Sequence, residues 1–234
     1  MERGLADSRA KAQALILSGR VLLAGAVCAK CGAPVRPGQE VSLLPETRPF
    51  ASRGGGKLAG ALDDFGIGVG GRIALDVGAS TGGFTDCMLR RGAARVYAVD
   101  VGERLLDERL RKDPRVVCLE GVNFRHAKEG LLPERVSLAA VDVSFISLRH
   151  ILPVLLRFLS PGADVIPLVK PQFEVGRGEV GRGGVVRDDG RRRAALEAVA
   201  EAARVLGLEV LGDVESPIEG PAGNREWLLA LRLP

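Results

Sequence analysis

The sequence predicts an α/β fold built on a mostly parallel, doubly wound sheet, and three observations carry that prediction. From residue 72 onward, short apolar runs rich in Val, Ile, Leu and Ala alternate with longer helical patterns, the signature of strands joined by crossover helices. One run, Ile73-Ala74-Leu75-Asp76-Val77, stops in the glycine-rich turn Gly78-Ala79-Ser80-Thr81-Gly82-Gly83 and restarts as a helix at Phe84-Thr85-Asp86. Glycines let backbone approach a ligand, and the free N–H groups opening a helix add donors and positive potential. The next run ends in an acid, Asp100, about 20 residues beyond the turn, the spacing at which a strand-end carboxylate meets ribose hydroxyls.

Taken in order, the chain opens with a module expected over residues 1–46. Ser8 is a plausible N-cap for a helix over 5–19, with Gly19 as its stop, and small strands follow at 21–23 and 41–44 among Gly25, Gly32, Pro34, Pro37 and Gly38. With Arg9, Lys11 and Arg20 on or near its helix, this helix-plus-strand piece resembles an S4-type RNA-binding domain. That family begins with an additional helix, of which only residues 1–5 could remain here, so the module is expected to be short at its first helix. Residues 47–57 read as a linker, running from the Pro45 to Pro49 stretch through Arg53 to Lys57. Leu58, Leu62 and Phe65 then mark a short amphipathic helix opening the main domain, 58–234.

Seven strands are expected there, at 73–77, 96–101, 116–119, 138–143, 165–169, 208–214 and 227–231. Helices are expected at 85–91, 103–111, 148–158 and 191–206, with a short one at 126–131. The basic, glycine-rich loop 176–184, carrying Arg177 and Arg182, directly follows the fifth strand, a good position for a lid.

Charge is uneven. Residues 1–60 hold nine Lys/Arg against four Asp/Glu, whereas residues 61–234 hold 24 against 25, so the net positive charge sits in the first quarter of the chain. Arg outnumbers Lys 27 to 6, which suits bidentate phosphate contacts. Nucleic acid is the partner to suspect, although a solvated basic face or a coding bias toward Arg would give the same numbers. No apolar stretch approaches the roughly 18 to 20 residues of a membrane span, and no basic-then-apolar leader is seen, so a cytoplasmic protein is expected. Four cysteines exclude a disulfide scaffold. Cys28-Ala29-Lys30-Cys31 has zinc-like spacing but no second pair, and no metal is expected.

The glycine turn reads Gly78-x-x-x-Gly82-Gly83 where a dinucleotide fingerprint would read GxGxxG, and Asp76 precedes it. S-adenosylmethionine (SAM), whose amino-acid end is zwitterionic, fits these residues better than NAD. Five stretches then make a closer resemblance: Leu75 to Asp86, Val99-Asp100-Val101-Gly102, Asp142-Val143-Ser144-Phe145-Ile146-Ser147, Val169-Lys170-Pro171-Gln172-Phe173-Glu174 and Gly183-Gly184-Val185-Val186-Arg187-Asp188. In that order, over nearly the whole chain, they resemble the TlyA family of S4-linked, FtsJ-like ribosomal RNA 2′-O-methyltransferases, some also called hemolysins. Two departures are Glu103-Arg104 after Gly102, where small or aromatic residues are usual, and Gly56 before Lys57, where a larger residue is usual.

The resemblance implies a Rossmann-like SAM-dependent methyltransferase with SAM as cofactor and ribosomal RNA or ribosomal subunits as partner. It implies that Asp76, Gly78, Ala79, Ser80, Thr81, Gly82, Gly83, Phe84, Thr85, Asp100, Val101, Asn123 and Asp142 hold the cofactor. It further implies a Lys57-Asp142-Lys170-Glu226 tetrad in which Lys170 is the base or hydroxyl-orienting group. Chemically, a lysine serves as base when its surroundings favour loss of the proton, and carboxylates hold its ammonium between turnovers. RNA contacts are expected from Arg9, Lys11, Arg20, Arg53, Arg177 and Arg182, and stacking from Phe145 or Phe173, for which core packing is the alternative. Each tetrad residue alone could be a capping or surface group, and Asn123 could simply shape a turn. An RNA-binding assembly protein with little catalysis, a membrane-active hemolysin and an NAD enzyme are the competing readings.

Overall fold

In the computed structural model, residues 3–6, 8–44, 50–181, 183–220 and 222–234 are described. The Pro45 to Pro49 part of the expected linker and Arg182 therefore lie outside the described residues. Helix α1 (Arg9–Leu17) starts where Ser8 accepts a hydrogen bond from Lys11 N, as an N-cap should. It is followed by β1 (Val21–Leu23), β2 (Ala26–Val27) and β3 (Val41–Leu43) in an antiparallel sheet ordered β2-β1-β3. Strand β2, not expected from sequence, has only two residues and no apolar alternation to betray it.

Helix α2 (Gly54–Asp64) opens the second unit, so residues 54–57, expected in the linker, are its first turn. Next come β4 (Ile73–Val77), α3 (Gly83–Arg90), β5 (Arg95–Val99), α4 (Glu108–Arg111), β6 (Val116–Leu119) and β7 (Val136–Val141). They are followed by α5 (Leu152–Leu155), β8 (Leu159–Val169), α6 (Pro171–Glu174), α7 (Asp189–Val205), β9 (Glu209–Glu215) and β10 (Trp227–Arg232).

Three expected helices are corrected. The one over 103–111 shrinks to α4, because Arg104 adopts a left-handed φ of +57° and Leu105 N is drawn to the Glu120 carboxylate, so the turn restarts only at the Asp107 cap. The one over 148–158 breaks into 3-10 turns flanking α5. Pro153 sits in its first turn, where the missing N–H does no harm, whereas a helix already running from 148 would lose a bond there. The short helix at 126–131 resolves into two 3-10 turns, Phe124–His126 and Glu129–Leu131.

The seven strands run in the order β6-β5-β4-β7-β8-β10-β9. Pairs β6/β5, β5/β4, β4/β7 and β7/β8 are parallel, and β10 lies antiparallel to both β8 and β9. Alternate strand residues feed two cores. Leu75, Val77, Ala139 and Val141 share one with residues of α5 and α7, while Ala74, Leu138 and Ala140 share the other with residues of α2 and α3. The strand order reverses between β4 and β7, which is where such folds hold ligands. Antiparallel β10 adds a second consequence: Trp227 pairs with Val169, so the residue entering β10, Glu226, meets the residue leaving β8, Lys170.

Candidate active site

The glycine turn is shaped by the neighbouring strands. Gly78 N and Ala79 N donate to Val99 O, and Gly78 sits at φ +86° so close to β7 that a Cβ there would overlap Asp142 O. Only glycine serves at that position. Asp100 bridges the two strand ends: its Oδ2 accepts from Ser80 N at 2.8 Å and its Oδ1 from Gly102 N at 2.7 Å. Gly82, at φ +92°, would as any larger residue strike Leu106 and Leu110.

Asp76 does not face the crevice directly. It is fully buried on the α3 side, where its Oδ2 accepts from Thr85 Oγ1 at 2.6 Å and its Oδ1 has no partner among the described residues. Burial, reinforced by the nearby Asp142 charge and opposed by the Thr85 bond, pushes its carboxyl up to about 7. Asp76 and Thr85 thus fasten β4 to α3 beneath the loop, while Gly78, Ala79, Ser80, Thr81, Gly83 and Phe84 line a cavity of about 120 Å³. Asn123 shapes a turn, its side chain accepting from Arg125 N, and Val101 is 69% exposed beside Asp100.

The same cavity receives Lys57, Asp142, Lys170 and Glu226 from four separate elements. They form two ion pairs. Lys57 Nζ bonds Glu226 Oε2, with both side chains almost entirely buried. Lys170 Nζ lies 2.5 Å from Asp142 Oδ1 and donates to Ser144 Oγ at 3.0 Å. Lys57 reaches the cavity because α2 and α3 cross at Gly55 and Gly83: a Cβ on Gly55 would lie 2.8 Å from Gly83 O, and one on Gly83 2.9 Å from Gly55 N. Glu226 is held by the preceding loop, where its Oε1, without a hydrogen-bond partner among the described residues, faces Gly220 so closely that a Cβ there would collide with it.

Of the residues expected to grip RNA, Arg53 lines this cavity. Lys11 and Arg20 line a separate cleft of about 410 Å³ between α1 and the segment Arg104 to Arg109, and of the described lining residues only Thr81 belongs to both spaces. The larger space is thus not where the tetrad lies. Arg9 is exposed, Arg20 also donates to Leu44 O, and Arg177 begins a 3-10 turn. The loop expected at a lid position, 176–184, is fastened at its far end by buried Asn224, whose Oδ1 accepts from Val186 N and whose Nδ2 donates to Gly184 O. Sequence reasoning misses Asn224 and also Ser144; the latter's only signal is its place between Asp142 and Phe145. Phe145, 91% exposed at φ +65°, stands 5.1 Å from the Phe173 ring, so it takes no part in the core. Cys28 and Cys31 follow β2 near one another, where burial and then the Cys28 charge raise the Cys31 thiol, whereas Cys87 lies in α3 and Cys118 in β6.

The stretch that holds the parallel sheet, the glycine turn and the two lysine–carboxylate pairs matches, over residues 50–233, the family model for FtsJ-like methyltransferases. The 16S/23S rRNA (cytidine-2′-O)-methyltransferase TlyA of Mycobacterium tuberculosis is 48% identical over 99% of this chain and 87% of its own length. A solved structure of a hemolysin-named protein from Streptococcus thermophilus is 43% identical, with a TM-score of 0.78 over 99% of this chain and 85% of that one. A geranyl diphosphate methyltransferase solved with SAM is only 17% identical and shares the fold, with a TM-score of 0.53 over 76% of this chain and 84% of that one. The chain belongs to the FtsJ-like methyltransferase family and, within it, to the TlyA family. Among the described residues, no helix is long and apolar enough to cross a membrane.

Proposed function

We propose that this chain transfers a methyl group from SAM to the 2′-hydroxyl of a ribose in ribosomal RNA, working in the cytoplasm. The observation that carries the reading is the convergence of Lys57, Asp142, Lys170 and Glu226 on one cavity beside the glycine turn. The residues fit SAM. Gly78, Gly82 and Gly83 let the turn pack against Asp142 O, Leu106, Leu110 and Ser52, where any Cβ would collide, and so leave its backbone facing the cavity, while Asp100 keeps lone pairs free beyond its two backbone bonds. At about 120 Å³ the tetrad cavity is smaller than the roughly 300 Å³ of the smallest usual ligand pockets. It therefore suits the reacting end of the cofactor and one ribose, with the adenosine end along Asp100, Val101 and Asn123.

When bound, SAM supplies an electrophilic methyl carbon on a sulfur that keeps the electron pair of the broken bond. The chain must supply the nucleophile. Lys170 Nζ, held by Asp142 and Ser144, first gives one proton of its ammonium to solvent; its freed lone pair then takes the proton of the ribose hydroxyl as the oxygen attacks, which restores the ammonium beside Asp142. The Lys57–Glu226 pair, lining the same cavity, orients the ribose. Phe145, exposed beside the cavity, offers a stacking face to an unpaired base. Arg9, Lys11, Arg20, Arg53, Arg177 and Arg182 supply phosphate contacts, a role supported by the positive charge concentrated in residues 1–60.

Incubation with labelled SAM and isolated ribosomal subunits, followed by mapping of alkali-resistant linkages, tests the reading. The expected result is one or a few 2′-O-methylated riboses, and Lys170→Ala should slow transfer about 10²- to 10⁴-fold, the usual worth of a positioned base. Wild-type rates in that variant would overturn the assignment.

A further inference from the structure

Lys170 does its work only if two loops stay in register: residues 142–147 leaving β7, with Asp142, Ser144 and Phe145, and residues 170–174 leaving β8, with Lys170 and Phe173. The contacts that meet across them at the cavity are exposed or half-exposed. Asp142 keeps 26% of its side-chain surface, Ser144 is exposed, and the Phe145 ring is almost bare. Such contacts resist loosening weakly, because water competes for every polar partner.

Behind them lies one that water does not reach. The Glu174 side chain is 1% exposed and lines neither cavity. Its Oε1 accepts from Leu148 N at 2.8 Å and its Oε2 from Ser147 Oγ at 2.5 Å, so the carboxylate caps the 3-10 turn that ends the first loop. Arg149 closes the link from the other side: its Nη2 donates to Glu174 O at 3.2 Å and its Nε stands 3.8 Å from Oε2. One buried side chain at the end of the Lys170 loop therefore fixes the end of the Asp142 loop.

We infer that Glu174 is a positioning residue for methyl transfer, acting through the Ser147–Leu148 turn to keep Asp142 and Ser144 on Lys170. The inference rests on the reading of Lys170 as the proton acceptor. Its signature is a loss in the chemical step much larger than any loss of cofactor binding, since Glu174 bonds Ser147 and Leu148 and touches neither Asp100 nor the glycine turn, whose contact with this loop is Gly78 against the Asp142 backbone. A residue that merely held the fold together would instead lower melting temperature, SAM affinity and rate together.

The test uses the full chain with ribosomal subunits as substrate, measuring single-turnover methyl transfer, SAM affinity by calorimetry and melting temperature. Glu174→Ala is expected to lower the transfer rate about 10- to 100-fold with the SAM Kd within about twofold. Glu174→Gln, which keeps an acceptor for Leu148 N and a donor for Ser147 Oγ, should recover the rate to within about fivefold of wild type. Should the alanine variant fail to fold, Ser147→Ala removes one of the two bonds, and a fall in rate of about threefold or more at unchanged SAM affinity is expected. The inference is overturned if these variants transfer at the wild-type rate, if Gln is no better than Ala, or if SAM affinity falls in step with the rate. Lys170→Ala run alongside separates the two ideas: if it is fully active, the reading of Lys170 fails, and if it is inactive while Glu174→Ala is not, only the clamp fails.

Discussion

At the scale of single residues, the two ion pairs of the cavity differ in what holds them. Lys57 and Glu226 are 7% and 1% exposed, so each charge has given up water and relies on the other. Removing one partner from a buried pair strands the other and typically costs about 3 to 5 kcal/mol, whereas replacing both with apolar groups of similar volume is often neutral. Glu226→Ala should accordingly lower the urea midpoint markedly, and Lys57→Met combined with Glu226→Leu should restore most of it while remaining inactive. A double variant no more stable than the single one would show that the pair's burial is not what governs its cost.

Asp76 gives the clearest pH signature. Its folded carboxyl titrates near 7 against an ordinary 3.8, chiefly because burial disfavours the charged form. A group raised in the folded state binds its proton more tightly there than in the unfolded chain. Its contribution is therefore complete below about pH 4 and is lost as pH rises toward about 7, roughly 4 kcal/mol over the window at about 1.4 kcal/mol per unit. Asp76→Asn, which keeps an acceptor for Thr85, should flatten that part of the curve. In urea unfolding at pH 5 and pH 8, the difference between wild type and variant should shift in the variant's favour at the higher pH, and equal differences at both would contradict the burial argument.

At the scale of elements, the crossing of α2 and α3 decides whether Lys57 reaches the cavity at all, and neighbouring glycines play opposite parts in it. A Cβ added to Gly55 would overlap the Phe50 side chain and lie 2.8 Å from Gly83 O, so Gly55→Ala must push the helices apart and should cost about 1 to 3 kcal/mol and lose activity. Gly56, one residue on, meets only the Ile218 Cδ1 at 3.1 Å, the movable tip of a side chain, and a glycine in the middle of a helix costs about 0.5 to 1 kcal/mol relative to alanine, of which the first-turn position of Gly56 keeps a part. Gly56→Ala should therefore leave the melting temperature unchanged or slightly raised, which thermal unfolding of the two variants side by side would check.

This crossing also marks how far the elements can be read in advance. Strand and helix alternation, the glycine turn and the strand-end acids are local patterns, and the sheet bears them out from Ile73–Val77 onward. The start of α2 is not legible because three consecutive glycines suggest a linker, although here they permit a close helix crossing. The shortened α4 is hidden because its cause, Glu120 drawing in Leu105 N, lies fifteen residues away. The tetrad can be named only through family resemblance: no local pattern says that β10 runs antiparallel and so carries Glu226 to the end of β8. Asn224 and Glu174 are invisible as clamps for the same reason, since their partners are 38 and 26 residues distant.

For the whole molecule, the division of charge predicts a division of labour. The sheet-bearing part is nearly neutral, and the excess of Lys/Arg lies in residues 1–60, with Arg9 and Lys11 exposed on α1 and Arg53 at the cavity edge. If these groups hold RNA by its phosphates, each contact releases about 0.7 to 0.9 of a counterion, and binding falls with salt in proportion to their number. Arg9→Gln, Lys11→Gln and Arg53→Gln combined should reduce the slope of log affinity against log salt by about 2 to 3, measured by equilibrium binding to ribosomal RNA fragments between low and physiological salt. Arg9 and Lys11 lie outside the tetrad cavity, so the pair Arg9→Gln and Lys11→Gln alone should weaken RNA binding yet leave the transfer rate at saturating RNA close to wild type. A salt slope unchanged by the triple substitution would move the RNA contact elsewhere on the surface. A rate at saturation that fell with the α1 pair would mean that α1 shapes the reacting complex and does more than gather the substrate.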